Sequence, residues 1–176
     1  MNASLLKRQS AARLPVADLR RRWQRMLDDP LLRDIPGKLE LNEKGAIEVS
    51  RANTRHGFLQ AFIAGELRRL RPEGATITEC PIETEIGIRV PDIAWASPEF
   101  TTLHGMTSPL PRAPELCIEV VSASNTAIEL SEKRAAYLAA GAREVWLVAE
   151  DGTIQIFGER GPLEASVLGI ALVLPH

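Results

Sequence analysis

Aromatic residues are scarce in this 176-residue sequence, at 5% of the chain. The core must therefore be built mainly from Ala, Val, Leu and Ile. Cysteine is scarcer still. Cys80 and Cys117 lie far apart and outside any CxxC or CxxH spacing, which argues against a zinc site. Both sit among apolar residues and read as small core side chains. Neither sign of charge is in excess: 21 Lys and Arg stand against 23 Asp and Glu, for a net charge of −2 and a pI of about 6.0. That is not the footprint of a tight, non-specific nucleic-acid binder. No stretch is long and apolar enough to span a membrane. The residues after Lys7 and Arg8 are too polar for a signal peptide, so a reducing, cytoplasmic location is the expectation.

What is present suits one globular domain with a sizeable core: 45% of residues are hydrophobic and 25% charged. The basic residues cluster. Arg20, Arg21, Arg22 and Arg25 form one group, and Arg68, Arg69 and Arg71 another. They read either as solvated helix faces or as a local phosphate-contacting surface. Residues 1–14 read as a loose arm. The spacing of Val16, Leu19, Trp23, Met26 and Leu27 predicts a helix over 15–29. Alternation across 38–50 around Asn42-Glu43-Lys44-Gly45 predicts a hairpin. A helix over 55–70, capped by Asn53 or Thr54, follows. Strands are expected at 75–80, 82–88 and 90–96, then a Pro- and Gly-rich loop over 97–114. The apolar run 116–121 suits a strand buried on both faces. A helix over 126–140, capped by Ser124 or Asn125 and stopped by Gly141, leads to a buried strand at 145–148. Asp151-Gly152 turns the chain into an antiparallel return, and 167–174 is a last apolar segment. The order predicts an α/β domain around a mixed sheet.

Glu119 stands inside Leu-Cys-Ile-Glu-Val-Val. A buried ionised carboxylate costs several kcal/mol unless a cation or hydrogen-bond donors compensate it. Either a buried Arg or Lys or a bound metal can do so. Asp92 follows Pro91, which fixes the backbone before it and places it at a strand start or bend. It reads as a turn residue or as the second ligand. Two carboxylates from neighbouring strands suit Mg²⁺, which prefers hard oxygen ligands and keeps several waters. Residue 121 shares the face of Glu119, but it is Val121 and cannot supply a lysine. The nearest lysine is Lys133, on the following helix. Its alternative is a surface pair with Glu129.

Val90-Pro91-Asp92-Ile93-Ala94, then Pro114 through Asn125, then Glu129, Lys133, Tyr137, Gly141, Glu144, Trp146 and Val148, resemble in order the Uma2 family of restriction endonuclease-like proteins. Leu39-Glu40-Leu41, Ile47-Glu48-Val49 and His56 extend the resemblance over roughly residues 38–175. Residues 1–37, an arm and a basic helix, are less family-like. The resemblance implies the PD-(D/E)XK nuclease fold: a restriction endonuclease-like mixed β-sheet flanked by helices, here with an N-terminal helix and hairpin. It implies Asp92 and Glu119 as catalytic and metal-binding acids and Lys133 as the lysine supplied from the next helix. Glu66, in the first family helix, and His56 are further candidates. Each has a plainer alternative, Glu66 as a neighbour of Arg68 and Arg69, and His56 as a structural residue. Ser122, Ser124 and Asn125 are helix caps that could also border an anion. One departure is Ala149-Glu150, where the family commonly has Asp-Pro.

These residues point to a Mg²⁺-dependent endonuclease acting on DNA, with Mn²⁺ as an alternative ion. Superfamily nucleases are often dimers, which leaves a homodimer open. Two other readings stand beside it: a non-catalytic nucleic-acid- or protein-binding module on a nuclease fold, and a structural protein with Glu119 in a buried ion pair.

Overall fold

The computed structural model describes residues 12–32, 34–51, 53–105, 107–122 and 125–175. The proposed arm up to residue 11 and the capping role of Ser124 therefore lie outside the described residues. Asn42 makes the first turn. Its Oδ1 accepts from the backbone N–H groups of Lys44 and Ala46, and Gly45 takes a positive φ of 74°. The chain folds back as β1 (Lys38–Asn42) and β2 (Ile47–Ser50), with Leu39 opposite Val49. The expected strand at 82–88 is instead a second hairpin, β4 (Ile82–Thr84) and β5 (Gly87–Arg89). Thr84 explains the break: its hydroxyl accepts from Ile86 N–H and donates to the Gly87 carbonyl. The four strands form one antiparallel sheet in the order β2-β1-β5-β4. Helix α1 (Val16–Asp28) covers it, burying Leu19, Trp23 and Met26 against Leu41, Ile88 and Val90.

Gly87 leaves no room for a side chain. Its φ is 118°, and a Cβ there would lie 2.0 Å from the Leu41 carbonyl oxygen. Gly87→Ala is expected to cost about 2 kcal/mol or more, through strain and a backbone clash. Thermal melts followed by circular dichroism check this, and an unchanged midpoint would refute it.

The larger sheet has the order β10-β9-β8-β7-β6-β3. Its strands are β3 (Ala75–Thr78), β6 (Ile93–Ala96), β7 (Leu116–Val121), β8 (Glu144–Ala149), β9 (Ile154–Gly158) and β10 (Gly161–Leu163). Only β7 and β8 run parallel, joined by the crossover helix α4 (Ala127–Ala139), so the sheet is mixed as expected. Its two faces carry separate cores. Ile118 and Val120 point to α2 (Thr54–Leu70), where Leu59, Ile63 and Leu67 wait. Cys117 points the other way, to Tyr137 of α4 and Phe100 of α3 (Pro98–His104).

Helix α3 falls within the stretch expected to be a loop. Its start signal is nonetheless present: Ser97 Oγ accepts from Phe100 N–H at 3.0 Å, and Pro98 opens the helix. Helix α4 is capped by Thr126, whose hydroxyl accepts from Glu129 N–H. Asn125 instead accepts from Ser122 N–H and shapes the approach. The last apolar segment forms no strand. Ile170 and Leu174 drop into the α2-side core, and Glu144 anchors the stretch before them by accepting from Ser166 Oγ and Val167 N–H. No helix among the described residues is long and apolar enough to cross a membrane.

Candidate nuclease site

Register brings the two acids together. Strands β6 and β7 are antiparallel, with Ile93 opposite Ile118. One residue further along, Asp92 faces Glu119 on the α4 side of the sheet. The two carboxylates are 2% and 5% exposed, so each needs compensation. Asp92 Oδ2 accepts from Val120 N–H at 2.7 Å. Glu119 Oε1 accepts from Tyr137 O–H at 2.7 Å. The remaining oxygens, Asp92 Oδ1 and Glu119 Oε2, both meet the Lys38 ammonium, at 2.6 and 3.2 Å.

Lys133 is buried in the site and is not a surface residue. Its ammonium lies 2.9 Å from Glu40 Oε2, 3.7 Å from Glu119 Oε1 and 3.9 Å from Glu129. The surface-pair alternative is thus the weakest of its three contacts. Lys133 and Tyr137 are four residues apart on α4, one turn on the same face, which delivers both to Glu119. Glu40 also accepts from Val90 N–H at 2.7 Å and lies 3.6 Å from Arg89. Lys38 and Glu40 share one face of β1, while Leu39 and Leu41 pack towards α1 on the other. The site therefore lies at the seam of the two sheets.

Two further candidates separate. His56, near the start of α2, sits with Nε2 3.4 Å from Asp92 Oδ1, and its Nδ1 is buried without a hydrogen-bond partner. Glu66 lies three turns along the same helix and pairs with Arg69, away from the acids. The basic clusters also resolve in part: Arg20 grips Glu83 with two bonds, Arg21 pairs with Asp18, and Arg71 pairs with Glu73 and stacks over Trp95. Sequence reasoning missed Lys38, Glu40 and Tyr137 as site residues. Lys38 gives no motif signal. Glu40, like Glu119, is an acid inside an apolar strand, and that pattern could have found it.

The electrostatics follow from this packing. Burial pushes Asp92 up, but its hydrogen bond with His56 and the charge of Lys38 win and bring it down to about 2. Burial dominates at Glu119 and leaves its pKa raised despite Lys38. Burial pulls Lys38 down, and the charges of Glu119, Asp92 and Glu40 outweigh it, so the lysine is held firmly protonated. The hydrogen bond to Asp92 raises His56. Burial alone lifts the Cys80 thiol to about 12, which makes it inert.

An acid whose folded pKa is depressed stabilises the fold above its unfolded value and loses that contribution as pH falls through the folded one. For Asp92 the window runs from about pH 4 to about 2 and the contribution is about 2 kcal/mol. Glu119 acts in the opposite sense, since its protonation relieves a buried charge. Asp92→Asn is expected to flatten the loss of stability below pH 4 in urea titrations. An acid limb as steep as that of the wild type would assign it to other groups.

The acids open onto a cleft of about 450 Å³, lined also by Arg51, Gln60, Glu79, Ser122 and Asn125. Among the described residues no cluster of three or more His, Cys, Asp or Glu forms a ready metal cage. The donor set does fit Mg²⁺, which takes one or two carboxylates and keeps its waters. Asp92 Oδ1 and Glu119 Oε2 already converge on one cation, the Lys38 ammonium.

Comparison with known proteins accords with this geometry. A crystal structure described as "a putative nuclease belonging to DUF820 from Anabaena variabilis ATCC 29413" superimposes with a TM-score of 0.57 at 18% identity, covering 75% of this chain and 78% of that one. At that identity the likeness establishes the fold. No curated protein matches the chain. The family model described as "Uma2: Putative restriction endonuclease" matches residues 25–168, starting within α1. The chain belongs to the Uma2 family.

Proposed function

We propose that the protein is a Mg²⁺-dependent endonuclease that hydrolyses DNA phosphodiester bonds at the Asp92–Glu119 cleft. One observation carries this reading: two buried carboxylates from adjacent strands turn one oxygen each towards a shared cation position at the base of an open cleft. Asp92 and Glu119 would hold the ion. Bound there, it would supply a lowered water pKa and charge neutralisation at the phosphate, with Mn²⁺ as an alternative. Val120 N–H and Tyr137 O–H fix the carboxylates in place, so neither has to reorganise when charge develops. Lys133 brings its amine to 3.7 Å from Glu119, where it can orient the attacking water and offset phosphate charge. Glu40 keeps that ammonium in position.

Supercoiled plasmid incubated with Mg²⁺ or Mn²⁺ tests the reading. Nicking should appear with either ion, vanish with chelator and fail in the Asp92 and Glu119 variants. A nuclease-fold module that binds without cutting is favoured by Val121 in place of a lysine and by the ammonium between the acids. Salt-sensitive, metal-independent DNA binding that survives Asp92→Ala would select it.

A further inference from the structure

Lys38 belongs to no motif, yet its ammonium occupies the place in the site where an ion would have to go. Each carboxylate has one oxygen committed to the protein, Asp92 Oδ2 to Val120 N–H and Glu119 Oε1 to Tyr137 O–H. The two remaining oxygens are those that Lys38 holds, at 2.6 and 3.2 Å, with His56 Nε2 also 3.4 Å from the Asp92 one. A divalent ion held by Asp92 and Glu119 would compete with Lys38 for these carboxylates. Two cations cannot share them, because repulsion between like charges is strong in a poorly solvated site. Lys133 is not the competitor. It is anchored 2.9 Å from Glu40 and approaches Glu119 on the Tyr137 side. Lys38 has a flexible four-carbon stem, keeps 11% of its side chain exposed, and faces the cleft.

We propose that Lys38 and the divalent ion exchange places: the ammonium bridges Asp92 and Glu119 in the metal-free protein, and on metal entry it swings into the cleft to contact the phosphate. This rests on the metal-site reading above. It makes Lys38 an internal placeholder that keeps two buried acids apart from water and from each other's repulsion, and then a second substrate-contacting lysine beside Lys133. Apparent metal affinity is reduced by the fraction of time that Lys38 is out of the way.

Calorimetric titration of the full chain with Mg²⁺, without DNA, tests the exchange. Lys38→Met should tighten the apparent Kd about tenfold, and Lys133→Met should change it far less. An unchanged or weaker Kd for Lys38→Met overturns the proposal, as does equal tightening by both variants, which would reflect general charge removal. A second measurement needs no variant: amine acetylation of the wild type, mapped by peptide mass. Mg²⁺ should speed labelling of Lys38 severalfold and leave Lys133 unchanged. Flat labelling of Lys38 while calorimetry shows bound ion overturns the exchange alone. No bound ion in any form overturns the metal site itself, and the exchange with it.

Discussion

Glu119→Gln is expected to lower Mg²⁺-dependent nicking about a thousandfold or more while leaving the protein folded. The amide keeps the shape of the side chain, and its oxygen can still accept the Tyr137 hydroxyl that holds Glu119 at 2.7 Å. What disappears is the negative charge facing the shared cation position. Stability should hardly suffer, because burial already disfavours the ionised form of Glu119 and the neutral amide is spared that penalty. Asp92→Asn should be equally inactive, but it should also lose stability at neutral pH, because the charge of Asp92 is strongly favoured in the fold. The two variants therefore part on stability and agree on activity. Plasmid nicking and thermal melts, run on the same preparations, separate the effects. Cleavage equal to wild type in both would mark a contaminating nuclease.

Glu40→Ala should cause the largest loss of stability among single changes at the site, about 3–5 kcal/mol, or a fall in melting temperature of about 10 °C. Glu40 is 4% exposed and serves three groups at once: Val90 N–H, the Lys133 ammonium and, further off, Arg89. Alanine strands a buried ammonium and leaves a buried N–H without its acceptor, and each is costly. Glu40→Gln keeps an acceptor for Val90 and should recover a large part of the loss. A melting temperature for Glu40→Ala within about 2 °C of wild type would mean that Lys133 finds another partner or water.

The acids were legible in the sequence because they broke a pattern. Glu119 is a charge within an apolar strand, and Asp92 follows a proline at a strand boundary. Burial cost makes such residues conspicuous before any fold is known. Hairpin, helices α1, α2 and α4, and the β7–β8 strands were legible from periodicity and turn residues. Three things were not. The Thr84-centred turn that splits β4 from β5 has no Gly-Asn or Pro signal at its start. Helix α3 is short and sits within a proline-rich stretch that reads as loop, although Ser97-Pro98 marks its first turn. Lys38 is an ordinary lysine at a strand end, and only the approach of the hairpin to β6 and β7 gives it a role. That approach is a long-range packing event, which local patterning does not encode. Lys133 lay between the two cases. The sequence nominated it, and its value depended on α4 lying across the acids, which the Tyr137 and Lys133 contacts establish.

The seam between the two sheets has a consequence for how the molecule comes into being. Tyr137 and Glu119 are 18 residues apart in the chain, whereas Lys38 is 54 residues from Asp92 and 81 from Glu119. Closing the longer loops costs more entropy and comes later in folding. The strand–helix–strand half of the site is thus joined by near contacts in the chain, and the hairpin half by distant ones. A chain emerging from the ribosome carries Lys38 and Glu40 long before the residues they serve have been made. Synthesis must pass residue 133 before Glu40 and Glu119 can meet the Lys133 ammonium, so the buried charges of the cleft are balanced only once both halves are made.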